Sequence, residues 1–394
     1  MRLASTDNPI RAWAGVHLTA IIVAFLPGLI VFGWRGAATV LLVVFGTAVG
    51  WVALRRVGPR GQAMEPAHLL WSALVAAALL PAHLAATTTL DGDASAMWAA
   101  PIATGLTLVL LVWLTAARFG IGVLPALTAG LLTWAALGPA AQPSSVLRWE
   151  TAVTGDLVDS TRSPVDDLAG IRWVSRRADE VGTPDARRLA SARMVLSAYG
   201  KAELHAEGRR VTMASVVSER LPPPEDVVLL GHPAPIGMGG AAAVVAAGLV
   251  LCFRGVADAR IAIVVVASAY VSLATMPVVA AVDDFSTVWT HLAGIGGMGE
   301  LPGARVGWAT GLTFVHYELL AGPILFGAML LAPLSSLRPL RNSWRFPYAV
   351  AIGVAMAAMQ RYVEPNVAPL AALAGVALLT PLLDRWSRST TLIE

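Results

Sequence analysis

Ten apolar stretches divide this chain, each close to the roughly 20 residues that a helix needs to cross the hydrocarbon core of a bilayer. They run at 15–33, 37–54, 68–86, 98–117, 120–138, 236–253, 260–282, 312–332, 346–362 and 366–383. A soluble chain of 394 residues has no way to hide them all. With 56% of its residues hydrophobic and 13% charged, it has too little polar surface to cover a globule of that size. The expected fold is an all-α polytopic membrane protein with ten transmembrane helices in two sets of five. Residues 1–138 are the first five-helix half, 139–235 a long hydrophilic interruption, and 236–394 the second half. Five spans, a loop and five more leave room for the structural repeat found in many transporters.

The arginines orient this arrangement. Ten spans put both termini on one side. That side would hold Arg2, Arg11, Arg55, Arg56, Arg60, Arg118, Arg254, Arg260, Arg338, Arg341, Arg345, Arg385 and Arg388. The short loops opposite hold Arg35, Arg305 and Arg361 beside Asp91, Asp93, Asp283, Asp284, Glu300 and Glu364. Positive residues stay in the cytoplasm, so both termini are expected there, in the bacterial cytoplasmic membrane, and the long loop outside it. In that loop 184–207 reads as an amphipathic helix, with Leu189, Leu196 and Tyr199 opposite Arg187, Arg188, Arg193 and Lys201. The net charge of +3 implies no nucleic-acid partner, and the single Cys252 excludes an internal disulfide and a Cys-ligated iron–sulfur cluster.

Ionisable residues at membrane depth carry a functional hypothesis by default, and few exist here. His68 and His83 flank the third stretch and suit the spacing of stacked haems, but no second span supplies a matching pair, so both read as interfacial. His316 and Glu318, two residues apart on a helix, face different directions. Glu318 is the candidate contact for a quinone, flavin or proton; otherwise it is a carboxylate just beneath the surface. Asp258, between Arg254 and Arg260, and Asp384, before Arg385, read as boundary charges paired with basic neighbours. The run Gly237-Met238-Gly239-Gly240 opens the sixth stretch, where exposed backbone N–H groups suit an anion, although glycines also serve plain close packing. The polar run Gly155 to Pro164 in the long loop is the remaining candidate for chemistry.

Several strings, in order, resemble one family. Leu26-Pro27-Gly28 with Phe32-Gly33-Trp34-Arg35, Ser72-Ala73-Leu74-Val75 running to Leu79-Leu80-Pro81, and Pro125-Ala126-Leu127 mark the first half. Leu229-Leu230-Gly231, Phe253-Arg254-Gly255-Val256-Ala257-Asp258, Phe326-Gly327-Ala328-Met329 and Thr380-Pro381-Leu382-Leu383-Asp384-Arg385 mark the second. Together they are similar to the RnfD/NqrB family, integral membrane components of the Rnf electron-transport complex and of the sodium-translocating NADH:quinone reductase. The similarity covers nearly the whole chain outside 165–225. The resemblance implies a membrane component of an electron-transport system, with FMN attached by phosphoester to a Thr of an "SGATPL" motif outside the cytoplasm. Here that motif falls on Ser160-Thr161-Arg162-Ser163-Pro164, which makes Ser163 the acceptor and Arg162 a partner for the phosphate, with Gly239 and Gly240 facing it. Thr161 and Arg162 replace the Gly and Ala, and Gly240 stands where the family has Glu. The implied partners are other membrane and peripheral electron-transport proteins, a flavin transferase and the lipid bilayer. The alternatives are a non-redox descendant, acting as a permease or accessory protein of a specialised biosynthetic pathway, and a pure assembly component.

Overall fold

The computed structural model describes residues 9–57, 66–81, 84, 98–115, 123–137, 226–230, 234–282, 285–289, 308–363 and 366–390. The candidate flavin run 160–163, the amphipathic stretch 184–207, His83 and Glu364 lie outside these residues. What is described is helical throughout apart from one hairpin, in which β1 (Val278–Val282) pairs antiparallel with β2 (Phe285–Trp289).

Every one of the ten apolar stretches contains a helix. The first half holds α1 (Pro9–Phe32), α2 (Trp34–Arg55), α3 (Pro66–Ala78), α4 (Ala99–Thr115) and α5 (Val123–Leu137). The second holds α6 (Ala241–Phe253), α7 (Ala259–Thr275), α8 (Trp308–Leu320), α9 (Pro323–Phe326), α10 (Asn342–Tyr362) and α11 (Ala368–Thr390). Among the described residues one helical stretch, Gly36–Arg55, is long and apolar enough by itself to cross a membrane, and seven further apolar helices span 10–17 residues.

Four stretches are shorter or more broken than their hydropathy predicts, and proline accounts for most of this. A proline disfavours helical geometry in the residue before it. The third stretch leaves the helix at Ala78, ahead of Leu79-Leu80-Pro81. The seventh stops at Thr275: Met276, before Pro277, is extended (φ −65°, ψ 137°), and the chain turns into β1 instead of running to 282 as a helix. The eighth breaks at Ala321-Gly322, where Gly322 is extended before Pro323, and resumes as α9 and a π-helical turn, Gly327–Leu331. The sixth begins as a separate 3-10 turn, Ile236–Met238, before α6.

Several helix contacts recur between the two halves. In the first, α2 packs along α4; in the second, α7 packs along α10. Both pairs run through a glycine seam. A Cβ on Gly105 would sit 2.3 Å from Val43 O, and one on Gly353 would sit 2.0 Å from Ser268 Oγ and 2.6 Å from Val265 O. The fifth helix of each half, α5 or α11, packs on the fourth, and the third element, α3 or α9, packs against the first and the fifth. The turn between first and second helices carries a left-handed glycine in each half, Gly33 (φ 56°) and Gly255 (φ 71°). The halves meet through equivalent elements, α1 on α6 and α5 on α11. Because α6 starts beside Gly28, near the end of α1, and packs back along it, the two first helices run antiparallel. An inverted repeat has this geometry.

Candidate functional site

α3 ends at Ala78 ahead of Pro81, α8 gives way to α9 at Gly322, and these two helix ends are finished differently. A helix break leaves backbone groups without helical partners, and buried ones must find others. In the first half Leu79 O accepts from Trp134 Nε1 of α5 at 2.7 Å, and Leu80 O accepts from Ile236 N at 3.1 Å. Leu79 and Leu80 are fully buried. The same region holds His17 of α1, also buried, edge-on to Trp71 of α3 with ring centroids 4.9 Å apart.

In the second half the break is polar. Glu318, in the last turn of α8, is buried and forms an ion pair with Arg361 in the last turn of α10, Nη2 to Oε2 at 2.5 Å. Arg361 Nη1 donates to Met276 O at 2.8 Å, tying in the end of α7. The neighbouring Gln360 donates from Nε2 to Glu318 O at 2.7 Å, and Tyr362 OH donates to Pro277 O at 2.6 Å. Gly322 makes the approach possible, because a Cβ there would lie 2.4 Å from Gln360 Oε1 and 2.5 Å from Glu318 O. Arg361 Nε and Gln360 Oε1 are buried with no hydrogen-bond partner among the described residues. With side chains only 5% and 10% exposed, Arg361 and Glu318 make a desolvated pair that neither partner could leave without stranding a buried charge.

The sequence picks out Glu318 and rightly turns it away from His316. The histidine is exposed, with Nδ1 2.7 Å from Leu312 O and its ring 5.4 Å from that of Tyr270. Arg361, which hydropathy leaves in a short loop, belongs instead to the buried end of α10. Arg361 and Gln360 lie 43 and 42 residues from Glu318, beyond the reach of any helical spacing. The only local sign was a Gln-Arg pair closing an apolar helix.

Gly239 and Gly240 belong to a different seam. A Cβ on Gly240 would lie 2.8 Å from Pro27 Cγ, one on Gly239 3.3 Å from Gly28 N, and one on Gly28 2.2 Å from Ile236 O. Those faces of the α6 start are taken by α1. No family model matches the chain, and no curated protein matches it.

Proposed function

We propose that the chain is a ten-span membrane protein of RnfD/NqrB type, with both termini cytoplasmic, that serves flavin-mediated electron transfer at the cytoplasmic membrane. The observation that carries this reading is where the family-like strings fall. Leu26-Pro27-Gly28 meets the start of α6, and Leu79-Leu80-Pro81 is the break after α3. Phe253 to Asp258 forms the turn with Gly255, and Phe326 to Met329 enters the π-helical turn. Thr380 donates to Leu337 O at 3.0 Å, and Asp384 accepts from Leu340 N at 3.1 Å. The family-like strings thus fall at joints of the scaffold, which supports this reading. Membrane placement is supported by helices that are apolar on both faces. On α2, Val43 is buried while Leu41, Phe45, Val49 and Val52 are exposed, a pattern suited to a lipid surround.

In this reading Ser163 carries or contacts FMN, Arg162 pairs with its phosphate, and other electron-transport proteins deliver and receive the electrons. The flavin supplies the redox chemistry; the chain supplies its anchor. Purified protein run on a denaturing gel is expected to fluoresce from covalent flavin, and Ser163→Ala to lose the fluorescence and the corresponding mass. Absence of flavin from both proteins by mass spectrometry would sink the redox reading.

A second reading, a permease or accessory membrane protein on the same scaffold, is favoured by the Glu318–Arg361 pair. Broken elements in inverted repeats are where transporters bind their cargo, and buried charges at such breaks mark substrate or ion paths. It leads if the protein is flavin-free while Arg361→Gln abolishes its cellular activity without loss of folded protein.

A further inference from the structure

We infer that the end of the bundle formed by the α6–α7 turn and the segment leading into α10 binds the phosphodiester headgroups of anionic phospholipids. The inference rests on the membrane reading above. Two turns make the surface, and they are stitched into one: Ala257 bridges to Leu334, and Asp258 N donates to Pro333 O at 3.2 Å. Asp258 also caps α7, accepting from Arg260 N at 3.2 Å. Its guanidinium partners are not the neighbours that sequence proximity suggests but Arg338 at 3.2 Å and Arg345 at 3.0 Å, so two arginines share one carboxylate. Arg345 spends its other nitrogens on Pro339 O and Leu340 O, both at 3.3 Å.

Positive charge is in excess among the described side chains. Among the described side chains this end carries Arg254, Arg260, Arg338, Arg341 and Arg345 against Asp258 and Asp384. Asp258 is engaged as above, and Asp384 accepts from Leu340 N. Arg254 and Arg260 are exposed. Burial first, and then the neighbouring Arg345, lower the pKa of Arg338 against the opposing pull of Asp258, as expected where positive charges are crowded. An added phosphate would relieve that crowding.

Apolar exposure selects lipid over an acidic protein. Phe253 is 86% exposed, and Leu340 and Phe346 are each 66% exposed, among the arginines. The apolar surface continues up the flank through Leu249 and Ile263. Arginines above and a continuous apolar flank below match a headgroup layer over acyl chains.

The test uses full-length protein in neutral detergent, titrated with phosphatidylglycerol or phosphatidylcholine, reading Tm and bound lipid by native mass spectrometry. Phosphatidylglycerol is expected to raise Tm, to persist as adducts and to lose its effect as salt rises. Arg254→Gln and Arg260→Gln should each weaken it about fivefold, leaving Tm in phosphatidylcholine unchanged. Equal responses to the two lipids, or a double variant that keeps the phosphatidylglycerol response, would overturn the inference. So would a polyglutamate peptide that binds as tightly as the lipid. Protein recovered without detergent and bound by neither lipid would overturn the membrane reading itself.

Discussion

The end of α3 and the break between α8 and α9 satisfy their buried backbone in opposite ways. After α3 the buried carbonyls of Leu79 and Leu80 are met by an indole N–H and a backbone N–H, and no charge is involved. The break between α8 and α9 instead holds a carboxylate, a guanidinium and an amide. A neutral finish is the cheaper way to satisfy a buried break, since burying an ion pair costs desolvation that its attraction barely repays. Among the described residues the α8–α9 break carries that cost and the end of α3 does not, so any activity of the scaffold is expected to centre on Glu318 and Arg361.

The largest expected effect tests that asymmetry. Arg361→Met strands Glu318 and should destabilise the detergent-purified protein by about 3–5 kcal/mol in denaturant unfolding, with most of the loss recovered when Glu318→Gln is added. A single variant within about 0.5 kcal/mol of wild type, the range of ordinary surface changes, would remove the contrast between the halves. The glycine seams test the likeness instead. Gly105→Ala and Gly353→Ala each force a methyl against a neighbouring helix and should cost about 1–3 kcal/mol. A large cost in one and none in the other would mean that the helix pairs α2/α4 and α7/α10 are not equivalent. On the neutral side, Trp134→Phe keeps an aromatic ring but leaves Leu79 O without its indole donor, for about 1–2 kcal/mol by thermal unfolding. The smallest effect belongs to Thr133→Val, which removes the 2.6 Å contact between the Thr104 and Thr133 hydroxyls of α4 and α5. A neutral hydrogen bond contributes about 0.5–1.5 kcal/mol net, and a loss well above roughly 2 would mark this contact as functional.

Much of the scaffold was legible because hydropathy is a local property. All ten apolar stretches contain helices, and Pro81, Pro277 and Pro323 lie just beyond the points where helices end or break. The breaks were nevertheless missed as breaks, because Leu79, Leu80 and Val278 to Val282 are as apolar as the helices they follow. Glu318 could be read as unusual from its apolar surroundings alone. Its partner could not, since Arg361 at the edge of an apolar stretch looks like any charge at a membrane boundary. Asp258 taught the same lesson in reverse: two arginines flank it closely in sequence, yet two others hold its carboxylate.

The sequence by itself determined that the chain is helical, in ten apolar pieces split by a polar loop, because helix formation and burial follow from residue type and spacing over a few turns. Only the tertiary structure decided that α2 packs along α4 and α7 along α10, that Gly239 and Gly240 pack on Pro27 and Gly28, and that Glu318 meets Arg361. Those outcomes depend on which helices approach closely enough to touch. A close approach is set by missing side chains on one helix and backbone shape on another, and no periodicity within either records it.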